Sequence, residues 1–566
     1  MRAAGWLLLA CAAPAAWAQA PVQIETDAVA IMRDGVKLKA DIYRPAGPGP
    51  FPVLLARTPY GKGNANGRGL AERGYLTVIQ DTRGRGESEG IFRPFLDDER
   101  DGYDTVEWAA ALPGANGKVG MFGGSYGGAT QLLAAAAAPP HLVAVFAVVP
   151  AVTFGAHGVV HEGGAFRLLL GGSWGAAQLA QMHRLKLGPW AASGEKFSEV
   201  ARAGPPLELM DRLFGKAPAS FWPDWVSEPP LGEYWQPTDL ARKIARIRVP
   251  VCLVGGIFDP FAGATVGVFA ALRTRAATPE ARQGAQLWFG PWTHGGSKFP
   301  AGDVQFGPDA AVSFGAYERQ WQDHWLKGEA NEVPRTPPAR VYLTGEQRWQ
   351  GWSGWPPAES RPRAFPLGPE AIAITGQAAG GEAIVETNPA DPVPTRGGKL
   401  CCHPGFLPGS FDHTALFGRA GVAVFRSATL AAPLTVVGDG ALEAELISDQ
   451  PDGDLVAKLF EVRNGKTVLL GDGVTRLRHA RALDRAAPIA AGKPVRIRVD
   501  LGPLSHRFLP GSQMALMLAG ADFPNYDLNP ATGPARLRIR LGGRTLLRLP
   551  VVEALPAPYV PEKANR

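Results

Sequence analysis

The stretch Lys118–Pro140, KVGMFGGSYGGATQLLAAAAAPP, decides the fold. A short apolar strand runs into Gly123-Gly124-Ser125-Tyr126-Gly127 and then directly into an alanine-rich helix that Pro139 ends. A serine set among glycines at a strand-to-helix corner has the form of a nucleophile elbow. Its backbone is held in a strained turn so that the hydroxyl projects from the sheet, and the glycines let neighbouring backbones close up. The dipole of the helix that starts there favours negative charge developing beside the hydroxyl. A phosphate-binding loop is the rival reading. It fails because no Lys-Ser/Thr pair follows at the required spacing.

A serine hydroxyl needs a base, and the base needs an acid to fix its tautomer. In this kind of fold they follow the serine in the order acid, then histidine, each on a loop after a later strand. The chain supplies both. The apolar run VCLVGGIFD ends at Asp259, and AQLWFGPWTH ends at His294. His141 follows a helix end, His157, His161 and His183 lie in a different segment type, and His324 sits mid-helix between tryptophans. His403, His413, His479 and His506 fall in a strand-rich region far downstream. Asp81, after YLTVIQ, is the rival acid, but its strand precedes the nucleophile and DTRGRGESEG reads as a loop-fixing run.

An oxyanion takes two donors. The backbone amide of Tyr126, directly after the nucleophile, is one. The other comes from the loop after an early strand, here ARTPYGKGN, where Tyr60 offers a phenol and packing is an equal alternative on pattern alone.

Outward from the elbow, strand and helix alternate from about Val22 to Pro150, beginning with a hairpin about Asp34-Gly35. Alternation of this kind argues a parallel sheet covered on both faces. Between Val152 and Ile247, aromatic residues and helical periods replace strands, and then the apolar strands resume. The block therefore reads as a helical cap inserted into an α/β sheet. Phe166 and Trp174 in that cap, together with Phe261, are candidate pocket residues, with core packing an equal reading. Beyond about Pro337, short alternating strands set apart by Gly, Pro and Asp predict an all-β sandwich or jelly roll. The expected division is a leader at 1–18, an α/β domain at 19–151 and 248–337, a cap at 152–247, and a β domain with its linker at 338–566.

Length and composition agree with a multidomain globular chain. The 566 residues exceed one core, and 46% are hydrophobic. A formal charge of +6, spread along the chain, gives no support to nucleic-acid binding. MRAAGWLLLACAAPAAWAQA reads as a secretory leader cut after Ala18, with lipidation at Cys11 the weaker alternative; export to a periplasm or beyond is expected. Its apolar run is shorter than the roughly 20 residues of a membrane span, and no other segment predicts stable membrane insertion. Cys252, Cys401 and Cys402 are too few for a disulfide framework, though the adjacent pair leaves a vicinal disulfide open. No metal, nucleotide or flavin is called for, since Gly84, Gly86 and Gly90 do not lead into a helix. Association of identical chains stays open.

The segments RTPYGK, QDTRGRGESEG, GGSYGG, GIFDPF, GPWTHG, HWLKG and WPP, with DPVPTRGG, HRFLPGS and DFPNYDLNP downstream, carry a further signal. They resemble the Xaa-Pro dipeptidyl-peptidase-like (S15) hydrolases, a family whose branches include cocaine esterases, α-amino-acid ester hydrolases and glutaryl-cephalosporin acylases. The resemblance implies an α/β-hydrolase domain, an inserted helical cap and a C-terminal jelly roll. It also implies Ser125 as nucleophile, Asp259 as acid, His294 as base and Tyr60 as an oxyanion donor. One departure matters. The amino-acid ester hydrolases place carboxylates shortly after the triad aspartate to hold an ammonium group, whereas Asp259 is followed by Pro260, Phe261, Ala262 and Gly263. An apolar wall there favours an uncharged or aromatic acyl group. The expected substrate is a small-molecule ester or activated amide. Dipeptidyl-peptidase or β-lactam acylase activity is the alternative within the chemistry, and a non-catalytic glycan-binding protein is the alternative outside it.

Overall fold

The computed structural model describes residues 22–64, 66–296, 301–529 and 533–561; the expected leader lies outside them. Two apolar runs about the Asp34-Gly35 turn form the opening hairpin, β1 (Gln23–Ile31) and β2 (Lys37–Arg44), as the sequence predicts. Next come β3 (Phe51–Thr58), β4 (Leu76–Asp81), β5 (Ala115–Gly124) and β6 (Leu142–Val148). A two-residue hairpin, β7 (His161–Glu162) and β8 (Ala165–Phe166), lies in the insertion. The main sheet resumes with β9 (Val251–Phe258) and β10 (Gln286–Thr293) and ends with β11 (Ala339–Leu343) and β12 (Arg348–Trp352).

The sheet order is β1-β2-β4-β3-β5-β6-β9-β10-β11-β12. From β4 through β11 every neighbouring pair is parallel, and antiparallel strands close both ends. Both β9 and β10 are buried at every position, as expected of strands covered on both faces. The expected boundary at 337 is corrected here. β11 pairs with β10 and β12 with β11, so residues up to Trp352 complete the α/β sheet. The loss of helical pattern after Pro337 marks the end of the βα alternation, while the sheet itself still had an open edge to cover.

The helix Tyr126–Ala137 is buried on all sides between β3, β5, β6 and the helix Asp98–Ala110. Its run of alanines follows from this, because a helix enclosed all round needs small apolar residues everywhere. A Cβ at Gly102 would come within 2.7 Å of the Ala134 methyl, so the two helices meet closely there.

The insertion holds the helices Leu168–His183, Gly194–Arg202, Leu209–Phe214 and Trp222–Ser227. Downstream lies an 11-stranded β domain of jelly-roll type. One difference from the sequence reading stands out. Short strands set apart by Gly and Asp would break at Gly438-Asp439-Gly440, yet Leu434–Ser448 is one strand paired along Pro494–Phe508. Gly438-Asp439-Gly440 does not turn the chain; the strand continues, and the register shifts between Gly440 and Ala441 because Leu501 of the partner strand is the extra residue of a bulge.

Candidate active site

Ser125 sits at the carboxyl end of β5 with φ 56° and ψ −120°, a conformation that costs a non-glycine residue on the order of 1–3 kcal/mol. Surrounding bonds impose it. The Ser125 amide donates to the Val148 carbonyl at 2.9 Å, and the Ser125 carbonyl accepts from Gly128, Ala129 and Ala151 at 3.0–3.1 Å. The glycines have separate duties. Gly123 takes φ 134°, and a Cβ on Gly128 would lie 2.9 Å from the Pro150 Cα, so only glycine lets β6's exit pass the elbow.

Asp259 follows β9 and His294 follows β10, both at the same edge of the sheet as Ser125. His294 Nε2 lies 2.9 Å from Ser125 Oγ, and His294 Nδ1 lies 2.7 Å from Asp259 Oδ2. Asp259 is fully buried, and its other oxygen accepts from the Phe261 amide at 2.6 Å. That bond fixes the carboxylate plane, while the Phe261 ring packs edge-on against the imidazole at 5.3 Å. Three side chains distant in sequence thus form one hydrogen-bonded line.

Tyr60 follows β3 at this edge. Its hydroxyl accepts from Trp174 Nε1 at 3.2 Å and interacts with the Ser125 side chain and the Tyr126 backbone amide. Burial raises the phenol's pKa, an effect that these neighbours only partly offset, so the hydroxyl keeps its proton at neutral pH. Two donors, Tyr60 O–H and Tyr126 N–H, therefore converge beside the serine.

The segment Asp81–Gly90 holds the Tyr60 loop in place. The Lys62 amide donates to Asp81 Oδ1 at 2.8 Å, and Arg85 Nε donates to the Pro59 carbonyl at 2.8 Å. Arg85 also reaches Gln181 on the cap helix. Asp81 is thus a support of the loop, the imidazole's acid being Asp259, and burial lifts the Asp81 carboxyl to about 6. The loop-fixing role read from the sequence now has an object.

The Tyr126 side chain has a duty separate from its amide. Its hydroxyl donates to Asp98 Oδ2 at 2.7 Å and accepts from the Phe95 amide at 2.8 Å. Asp98 pairs with the buried Arg57 guanidinium at 3.0 Å. Burial raises the Asp98 pKa against the opposing pull of Arg57 and the Tyr126 hydroxyl.

A cavity open to solvent lies above Ser125. Tyr60, Ser125, Tyr126, Trp174, Phe261 and His294 are among the residues that line it. Phe95, Trp225 and Cys402 also face it and were missed. Tyr126, Trp174 and Trp225 form a near-parallel ladder, with centroids 6.1 and 5.5 Å apart and planes inclined by 8° and 12°. Trp225 was traceable only through the aromatic density of FWPDW, and Phe95 not at all, since its φ of 70° follows from tertiary packing.

Phe166 is a correction. It does not line the cavity. Its ring packs on Trp222 and His161, and its amide donates to Asp527 at 3.1 Å at the junction with the β domain. The Asp527 carboxylate is held in turn by Arg476 at 2.8 Å, which also pairs with Asp454, so the Asp527 loop is an anchor for the cap. Cys402 brings the β domain to the cavity as well.

Comparison with known proteins places this geometry in context. Residues 34–296 match the model of the X-Pro dipeptidyl-peptidase (S15 family), and residues 331–540 match that of the X-Pro dipeptidyl-peptidase C-terminal non-catalytic domain. The cocaine esterase of Rhodococcus sp. (strain MB1 Bresler) is 31% identical over 540 residues, covering 90% of this chain and 93% of that protein. Among solved structures, an aminopeptidase from a marine sediment Thaumarchaeota archaeon superposes with a TM-score of 0.80 at 24% identity, covering 94% of this chain and 97% of the other. An α-amino acid ester hydrolase gives a TM-score of 0.79 at 24% identity, covering 95% and 98%.

Proposed function

The chain belongs to the X-Pro dipeptidyl-peptidase (S15) family and is a serine hydrolase, and on that premise we propose that it cleaves uncharged carboxylic esters through an acyl-enzyme on Ser125. The observation that carries the reading is the unbroken line Ser125 Oγ, His294 Nε2, His294 Nδ1, Asp259 Oδ2, with separations of 2.9 and 2.7 Å. Ser125 attacks the ester carbonyl while His294 takes its proton. Asp259 holds the imidazole in the tautomer that presents Nε2 as acceptor and stabilises the imidazolium that forms. The tetrahedral oxyanion is met by the Tyr60 hydroxyl and the Tyr126 amide. His294 then returns the proton to the leaving alcohol, and a water repeats the sequence on the acyl-enzyme.

Ester is favoured over aminoacyl peptide by what lines the cavity. Among the described residues there, none is a carboxylate, and Ala151, Val159, Leu170, Phe95, Trp174, Trp225 and Phe261 make the walls apolar. A substrate's free ammonium group would lose its hydration without gaining a counter-charge. The leader supports export as the companion proposal, with the substrate a small molecule met outside the cytoplasm.

The test is intact-protein mass spectrometry during turnover of an aryl ester, followed by peptide mapping, set beside hydrolysis of the matched amide and an aminoacyl-proline amide. The acyl mass should reside on Ser125, with the ester turned over fastest. An acyl adduct on another residue, or preference for the aminoacyl-proline amide, would overturn the reading.

A further inference from the structure

Cys401 and Cys402 are joined as a disulfide between neighbouring residues, and Cys402 faces the same cavity as Ser125, His294 and Phe261. Such a bond closes a small ring that fixes the backbone of both residues; Cys402 takes φ 76° within it. It also removes two S–H groups and leaves an uncharged sulfur surface without a donor.

The loop that carries this surface is tied on both sides. Gly398 and Gly409 exchange hydrogen bonds of 2.7 and 3.0 Å at its base. At its crest His403 Nε2 meets the carbonyl of Trp190 in the cap at 2.8 Å, and His403 Nδ1 accepts from the Gly405 amide at 3.0 Å. The His403 ring packs against Phe197 of the cap at 5.0 Å, and burial lowers its pKa, keeping it neutral in an apolar seat. The disulfide is therefore held at the junction of β domain and cap, and does not swing free in solvent.

We infer that the Cys401–Cys402 disulfide is a substrate-contacting wall that selects for an aromatic or similarly flat apolar group in the ester. Divalent sulfur makes favourable contacts with aromatic rings, and the rings of Trp174, Trp225, Phe95 and Phe261 line the same cavity. The inference rests on the acyl-enzyme reading, since it concerns what the same cavity holds. Opening the disulfide changes the wall. A dithiol such as dithiothreitol gives two electrons and two protons to the S–S bond, yielding two cysteine thiols and its own cyclic disulfide. The chain then regains two polar S–H groups and backbone freedom at the cavity. Cys252, the remaining cysteine of the described residues, is buried and unbonded, so it contributes no second reducible bond.

The experiment compares nitrophenyl benzoate with nitrophenyl acetate on the full-length enzyme before and after dithiothreitol, and on the double variant Cys401→Ser/Cys402→Ser. Peptide mapping records the redox state, and near-ultraviolet circular dichroism records folding. The ratio of kcat/KM for benzoate over acetate should fall about tenfold on reduction and in the double variant, as for a mismatched apolar pocket. A ratio that stays the same in the folded, reduced enzyme would overturn the inference, as would recovery of the pair as free thiols from enzyme purified in air. If the double variant does not fold, the reduced wild-type enzyme decides. Fluorophosphonate labelling of Ser125 in untreated enzyme runs in parallel. Its failure counts against the acyl-enzyme, whereas labelling with an unchanged ratio counts only against the disulfide wall.

Discussion

The indole of Trp174, on the cap, donates to the hydroxyl of Tyr60, on the loop after β3, at 3.2 Å. One lone pair of the phenol is thereby occupied from outside, which leaves its proton to be aimed at the oxyanion. Tyr60→Phe should lower kcat on the order of a hundredfold, because a donor aimed at developing charge in a water-poor site is lost. Trp174→Phe, which keeps a ring and loses the N–H, should lower kcat by about tenfold with a smaller change in KM, as expected for a residue that acts through another. Steady-state kinetics on an aryl ester checks both. A Tyr60→Phe enzyme within a few-fold of wild type would place the donor elsewhere.

Asp81 supports the Tyr60 loop at a cost. Burial raises its carboxyl from 3.8 to about 6, so between those values the folded chain binds a proton that the unfolded chain has released. Stability from this group is therefore full below pH 3.8 and falls as pH rises to about 6, then stays level. Asp81→Asn retains an acceptor for the Lys62 amide and cannot ionise. Thermal melts across pH 4 to 7 should show the variant gaining on wild type as the buried carboxyl, with its pKa of about 6, ionises. A constant difference over that range would contradict this assignment.

Arg57 is fully buried against Asp98 at 3.0 Å, and Asp98 holds the Tyr126 hydroxyl at 2.7 Å. Arg57→Met removes one charge of a buried pair and should destabilise the fold by about 3–5 kcal/mol, read as a lower denaturant midpoint. Arg57→Met/Asp98→Leu should recover part of that loss, because no lone charge remains buried. Equal loss in both variants would mean that the charge pair is not the cause.

Much of this site was legible in the chain because its parts are local. The elbow of Ser125 needs glycines next to it, and Asp259 and His294 each close an apolar strand, so strand ends and chain order suffice to find them. Tyr60 was harder. Its loop is recognisable, but the partner that orients it, Trp174, is 114 residues away. Phe95 left no local mark, and the Cys401-Cys402 pair suggested a bond but not its place: Phe95 faces the cavity because it stacks on Tyr126 at 4.3 Å, and Cys402 because the β domain folds back against the cap. Phe166 failed for the opposite reason. An aromatic residue in a cap has the same pattern whether it lines a cavity or anchors to a neighbouring domain, and the bond to Asp527, 361 residues on, decides which. The boundary at 337 likewise depended on knowing that β10 still lacked a neighbour.

The account turns on whether the hydroxyl at the elbow is the group that reacts. The direct measurement is hydrolysis of an aryl ester by Ser125→Ala, purified alongside wild type and matched to it by circular dichroism. Turnover should drop to the background rate of the buffer, since the nucleophile is gone while the cavity and its donors remain. A folded Ser125→Ala protein that still hydrolyses the ester at a rate near that of wild type would contradict the account.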